Sequence, residues 1–470
     1  MKLLRIKYIA VYIILLTLIL KYSSACRKFV QVPAPPTELT TVQAFGDDKT
    51  ATSSVAGIYI VMMGSLTPYF ANGGITLYTG LSADELYPTR TTISDDLQFY
   101  NNAVSATTNN TNTNNLWANA YTSIYYINAS IEGLTASTGL TPSTKSQLLG
   151  EVKFLRAFFY FNMVNLYGPV PLVTTIDFST NGTLARTSTD SIYAQIESDL
   201  QASQSLLSAA YPSTGRVRPN QYTAMALLSR VYLYDQKWDS ADVYATKVIN
   251  SGLYSLNHSL PNVFDQTSNE AIWELFPVVT RIGALEPYLF IPSHPTSVPN
   301  YPISPFLLNS FEPGDQRRSA WIDSNTISGV TYNYPYKYNT RTYAAGVIPT
   351  EYYTVLRLSE LYLIRSEARL NETAANLSGA ITDLDSVRNR AGLPNTTAAD
   401  PTTLSAAILH ERQTELFCEW GHRWFDLKRT GTINTVLGAE KTGWQSTSAV
   451  FPIPFTQIQA NPFLVQNPGY

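Results

Sequence analysis

The chain has 470 residues, enough to bury a large core, and length alone allows about three domains. A net charge of −3 and a pI near 5.9 exclude the basic patches on which nucleic-acid binding rests. Only two cysteines are present, Cys26 and Cys418, too few for a disulfide framework.

Residues 1–7 carry Lys2, Arg5 and Lys7, residues 8–20 are apolar, and Ser23, Ser24 and Ala25 are small. That order reads as a secretory signal peptide over residues 1–25. The apolar run makes about 20 Å of helix, short of a ~30 Å hydrocarbon core, so removal is expected rather than spanning. Cys26 comes next. Ordinary cleavage would leave a free thiol in an oxidising compartment; lipidation of Cys26 is the reading the pattern favours, with several acyl chains making attachment stable. Residues 26–40 contain Pro33, Pro35 and Pro36 and read as an extended tether.

The folded part opens with a predicted helix over residues 50–64, with Val55, Ile58, Tyr59 and Met62 on one face. Residues 84–90 form a short polar and aromatic loop. The Asn/Thr tract 106–115 reads as a flexible surface loop, too polar to bury. Helical spacing returns over residues 116–134 through Trp117, Tyr121, Ile124, Tyr125, Asn128 and Ile131. A second long amphipathic helix covers residues 148–167 and stops at Gly168 and Pro169.

An internal echo follows. Leu228-Ser229-Arg230-Val231-Tyr232-Leu233 matches Leu358-Ser359-Glu360-Leu361-Tyr362-Leu363, and each is followed by a helix opening near an alanine, Ala241 or Ala380. These look like helix-hairpin repeats, with Tyr232 and Ala241 where a tetratricopeptide unit places its Tyr and its small residue. The second copy has about nine extra residues between the matched positions, read as a loop insertion.

Residues 253–353 are rich in Pro, Tyr and Asn and form an irregular lobe. Within it Tyr332, Tyr334, Tyr336 and Tyr338 alternate, so a strand would gather them on one face opposite Lys337. That face either packs on the helices or serves a ligand. The four histidines, His258, His294, His410 and His422, lack metal-ligand spacing, and neither a metal site nor a cofactor is expected.

Residues 408–429 are the densest stretch. Leu409, Leu416, Trp420 and Trp424 recur at helical spacing and predict one buried stripe. Around them stand Glu411, Arg412, Glu415, Glu419, His422, Arg423, Asp426, Lys428 and Arg429, in a chain only 14% charged. Glu411 and Glu415, one turn apart, would suit acid and base catalysis. A helix carrying both signs more often forms ion pairs, and Arg412, Glu415, Arg423 and Asp426 are expected in a partly buried network. The His410-Glu411 pair lacks the second His of a zinc protease, Thr414 standing in its place. No nucleophile elbow or phosphate-binding loop appears.

The run from Glu411 to Gly431, Phe451-Pro452-Ile453-Pro454 and the ending Asn467-Pro468-Gly469-Tyr470 resemble the SusD/RagB-type proteins, outer-membrane nutrient-binding lipoproteins of Bacteroidetes. The resemblance is densest over residues 148–171, 219–256 and 356–470. It implies a mainly α-helical, tetratricopeptide-like scaffold with the irregular lobe, one domain over residues 41–470. It also implies an outward-facing lipid anchor at Cys26, a SusC-like TonB-dependent transporter as partner, and an oligosaccharide or peptide as ligand. No catalysis is implied.

A site for a neutral oligosaccharide needs aromatic faces and a few polar groups on loops. Asp84, Tyr87 and Arg90 supply these within one loop, and Tyr288 and Tyr301, each beside a proline, add aromatic faces from the lobe. Two other functions fit the chain: a secreted glycan- or peptide-degrading hydrolase using Glu411 and Glu415, and a tetratricopeptide protein-interaction scaffold.

Overall fold

Each long helix starts where a short polar side chain can take up its free N–H groups. In the computed structural model, which describes residues 40–92 and 94–470, Asp47 accepts from the amides of Lys49 and Thr50 to open α1 (Asp48–Met63). Cys26 and the proline-rich tether lie outside the described residues. Asn110 does the same for α2 (Thr111–Ala136), accepting from Asn112 and Thr113. The Asn/Thr tract is therefore not a loop throughout: Asn110 and Thr113 are buried, because an asparagine at the helix start satisfies two amides that would otherwise face the core. Thr141 caps α3 (Pro142–Tyr167), with proline at its first position, and Gly168 ends it at φ +71°.

The scaffold continues through α4 (Thr189–Leu206), α5 (Gln221–Tyr234), α6 (Trp238–Ile249), α7 (Leu358–Asn371), α8 (Leu377–Arg390), α9 (Pro401–Glu415) and α10 (His422–Arg429). Consecutive helices from α2 to α8 pack on one another, and α9 packs on α7 and α8. One hydrophobic cluster runs from Phe45 to Leu464, with Phe154 and Phe158 edge-on to Trp273.

The internal echo belongs to two helix pairs, α5 with α6 and α7 with α8, in a different register from the one the letters suggest. Ser229 Oγ donates to the Ala241 carbonyl at 2.8 Å, and Ser366, not Ser359, makes the matching bond to Ala380 at 2.7 Å. The match was displaced by about two helical turns, a shift that returns a stripe to nearly the same face. Most of the apparent insertion then disappears, since the connectors are residues 235–237 and 372–376. The echoed residues meet directly: Arg230 Nη2 lies 2.6 Å from Glu360 Oε2, tying α5 to α7.

The lobe contains short strands. β1 (Ala271–Leu275) pairs antiparallel with β4 (Tyr353–Arg357), and every residue of both is buried. β2 (Ile322–Ile327) and β3 (Val330–Pro335) form a hairpin whose two loop residues, Ser328 and Gly329, both have positive φ, 50° and 82°. Of the expected tyrosine stripe only Tyr332 and Tyr334 lie in a strand. The chain leaves the sheet at Pro335 and turns Lys337 inward, where its ammonium sits 3.9 Å from the Phe417 ring centroid and pairs with Glu419. That buried ion pair outweighs continuation of the strand.

The stripe over residues 408–429 is also broken. α9 ends at Glu415, the chain turns through residues 416–421, and α10 begins at His422. Cys418, Trp420 and Gly421 have φ of 50°, 46° and 75°, unusual for the first two. Their cost is offset by distant partners. Cys418 N donates to Glu85 at 2.8 Å, Trp420 N to Thr76 Oγ1 at 3.0 Å, and the Trp420 indole to the Thr354 carbonyl at 2.8 Å. Leu416, Trp420 and Trp424 are buried as expected, gathered by a turn instead of one helix, while Leu409 is half-buried.

Candidate functional site

Glu411 and Glu415 point into the protein and are fully buried. Arg317 Nη1 lies 2.6 Å from Glu411 and 2.8 Å from Glu415, and Arg357 and Arg390 also pair with Glu415. Glu419 and Glu270 complete the lattice, each 2.8 to 2.9 Å from Arg357. Burial by itself would raise the Glu415 carboxyl, but Arg390, Arg357 and Arg317 hold it well below the usual carboxylate range. Burial raises the Glu411 carboxyl instead, but both groups are sealed among arginines where no substrate reaches them, so the hydrolase reading of Glu411 and Glu415 fails.

The four charged residues expected in one network fall into separate groups. Arg412 pairs with Asp426 at 2.7 Å, and Asp426 also holds Arg429 at 2.7 Å. Glu415 belongs to the lattice above. Arg423 reaches neither, its Nε lying 2.9 Å from Asp84 Oδ1. The turn at residues 416–421 separates α10 from α9 and sends these charges in different directions.

The pair with Arg423 decides the role of Asp84. Its side chain is 1% exposed, so it braces the loop from beneath and does not present itself as a surface group. Beyond it the chain is held like a strand. Leu86 bridges Ile303, Tyr87 N donates to the Pro302 carbonyl and Thr89 N to the Asn300 carbonyl, both at 3.0 Å. This clip runs the backbone around Tyr87 along the segment that carries Tyr301, with Arg90 just beyond it. The Tyr301 hydroxyl donates to Asp96 at 2.7 Å, and Asn112 in the first turn of α2 donates to the other oxygen of that carboxylate at 2.8 Å. Tyr87 and Tyr301 are half-buried and Arg90 is exposed. Tyr288 stands apart in the lobe, where the Arg341 guanidinium covers its ring at 4.5 Å.

A cavity of about 390 Å³ opens beside the loop, with Tyr87, Tyr100, Phe306, Asn309, Asn333 and Lys441 in its wall. Of the residues read from the sequence, Tyr87 and the buried Asp84 border it, whereas Arg90, Tyr288 and Tyr301 do not. Lys441 donates to the carbonyl of Tyr100 at 3.0 Å and sits 4.7 Å from that ring, and burial lowers its ammonium to about 7. No local pattern marks Lys441, because its partners are more than 300 residues away. Among the described residues no cluster of His, Cys, Asp and Glu could hold a metal ion, and no helix is long and apolar enough to cross a membrane.

Two family models match the chain. Residues 64–233 match a model described as starch-binding and associating with the outer membrane, and residues 316–470 match the SusD family. The SusD-like protein P25 of Formosa agariphila is 24% identical over 95% of this chain and 97% of its own length. A SusD superfamily protein from Bacteroides vulgatus superposes with a TM-score of 0.78 at 21% identity, covering 91% of this chain and all of the other. The surface glycan-binding protein A from Bacteroides thetaiotaomicron, solved with laminarihexaose, superposes at 0.73 with 22% identity, over 90% of this chain and 99% of its own. With both segments matched and the fold shared along nearly its whole length, the chain belongs to the SusD/RagB family, the non-catalytic, outer-membrane glycan-binding proteins of Bacteroidetes.

Proposed function

We propose that this protein captures a neutral oligosaccharide at the surface formed by Tyr87, Arg90 and Tyr301 and delivers it to a SusC-like TonB-dependent transporter. The observation that carries the reading is the clip between residues 86–89 and 300–303, which ties the loop carrying Tyr87 and its cavity to the remote segment carrying Tyr301. Aromatic faces stack on sugar rings, and Arg90 and the amides of Asn309 and Asn333 can fix hydroxyls. Tyr288, with one ring face covered by Arg341, would offer the other to an outer part of a longer ligand. A β-glucan is the first class to try, given the laminarihexaose complex of the Bacteroides thetaiotaomicron relative; a peptide is the second. The helix pairs would act as a tetratricopeptide-like support, within one domain over residues 41–470 that follows a signal peptide (1–25) and a tether (26–40).

Affinity electrophoresis against a glycan panel tests the site. Tyr87→Ala and Arg90→Ala are each expected to weaken retention roughly tenfold, about 1.4 kcal/mol, on any glycan the wild type binds. Retention unchanged in both would place the site elsewhere. Attachment is proposed to run through acylated Cys26, leaving the protein on the outer membrane and facing outward. Cys26→Ala should move the protein from the membrane pellet to the soluble fraction, and equal partition of the two forms would refute the anchor.

A further inference from the structure

A second concavity, of about 580 Å³, lies along the middle of α2, far from the Tyr87 loop in sequence. Trp117, Tyr121 and Tyr125 recur every four residues and step outward from the core, Trp117 being 3% and Tyr125 50% exposed. Tyr126 stands edge-on to Tyr125 with ring centroids 5.7 Å apart. Phe178, 87% exposed, also lines it, and the C-terminal segment supplies Gln457. Exposed aromatic surface of this extent is a mark of a binding site.

Two features say what the groove would take. Among the described residues that line it none carries a charge. The polar tips it does offer, the hydroxyls of Thr122, Tyr125 and Tyr126 and the amide of Gln457, have no hydrogen-bond partner among the described residues. An apolar protein segment would strand those tips in a dry contact. A neutral sugar would stack on the rings and pair the tips with its own hydroxyls.

We infer that this groove is a second, auxiliary site for a neutral glycan. Its placement supports the assignment. Asn112, which supports Tyr301 through Asp96, lies on the same helix as Tyr121 and Tyr126, about 14–21 Å away along the axis at 1.5 Å per residue. One rigid helix thus connects both sites, and a polymer able to engage both would gain by avidity.

The inference rests on the glycan reading of the first site, and the experiment separates the two. Isothermal titration of the full chain with laminarihexaose, and in parallel with maltohexaose, is expected to give two bound sugars per chain. Tyr125→Ala with Tyr126→Ala should reduce this to one, and Tyr87→Ala should weaken the other about tenfold. The gentler Tyr125→Phe with Tyr126→Phe keeps both rings and should weaken the second site about five- to tenfold by removing its tips. A wild type that binds one sugar, weakened by Tyr87→Ala and untouched by either tyrosine pair, overturns the groove site alone. A wild type that binds neither sugar overturns both readings.

Discussion

Glu415→Ala is expected to lower stability by about 3–5 kcal/mol, because it strands buried charge without removing it. Arg317, Arg357 and Arg390 all point at this one carboxylate, and each has little or no solvent to turn to. A thermal melt measures the loss, and a melting temperature within a degree of wild type would show the lattice to be hydrated. The pH dependence should agree. A carboxyl held below its unfolded range adds stability that is present above that range and lost as the pH falls through its folded value. The variant should therefore lose part of the acid transition of the wild type. Because the lattice joins α7, α8 and α9 to the lobe through Glu270 and Arg317, its loss should also loosen the lobe that carries Tyr301.

Glu274→Gln is expected to act in the opposite direction. Glu274 lies in β1, fully buried, and neither carboxylate oxygen has a hydrogen-bond partner among the described residues. Burial raises its carboxyl to about 8. In the unfolded chain it ionises near the ordinary value, so between about pH 4.5 and 8 the folded state holds a proton that the unfolded state has released. Stability must then fall as the pH rises through that window and level off above it. Glutamine removes this slope. The variant should match the wild type near pH 4.5 and exceed it by about 2–4 kcal/mol at pH 8.5, in denaturant titrations at the two pH values. Glu85, raised by burial to about 7, and Glu286, raised to about 8, give both proteins the same background slope. Parallel pH profiles for the two proteins would mean that water or a cation reaches Glu274.

The legible parts of the chain were those whose causes lie close together in it. α2 and α3 follow from apolar spacing, and α3 stops where Gly168 and Pro169 stand. Even there a local rule misled: the Asn/Thr tract looked like a loop because its polarity was weighed without the capping capacity of Asn110. The repeat register failed for a related reason, since a helical stripe moved by two turns looks the same to its neighbours and only the bond from Ser366 to Ala380 distinguishes the two. Tyr87, Arg90 and Tyr301 could be singled out as residues suited to a sugar. The cavity wall contributed by Tyr100 and Lys441 could not, because nothing near Lys441 signals contact with a residue so remote.

What the sequence by itself determined was the helical scaffold, the location of the irregular lobe and, through the residues of its C-terminal third, the family. These rest on periodicity, caps and motifs, interactions that act within one or two turns and survive in any tertiary context. Only the tertiary structure decided how the charges pair and where the chain breaks. Arg423 belongs to Asp84 and not to α9, and the turn at residues 416–421 exists because Glu85 and Thr76 receive the amides it frees. A buried charge takes whichever partner the fold delivers to it, and that partner is chosen by distance in space, which no spacing along the chain records.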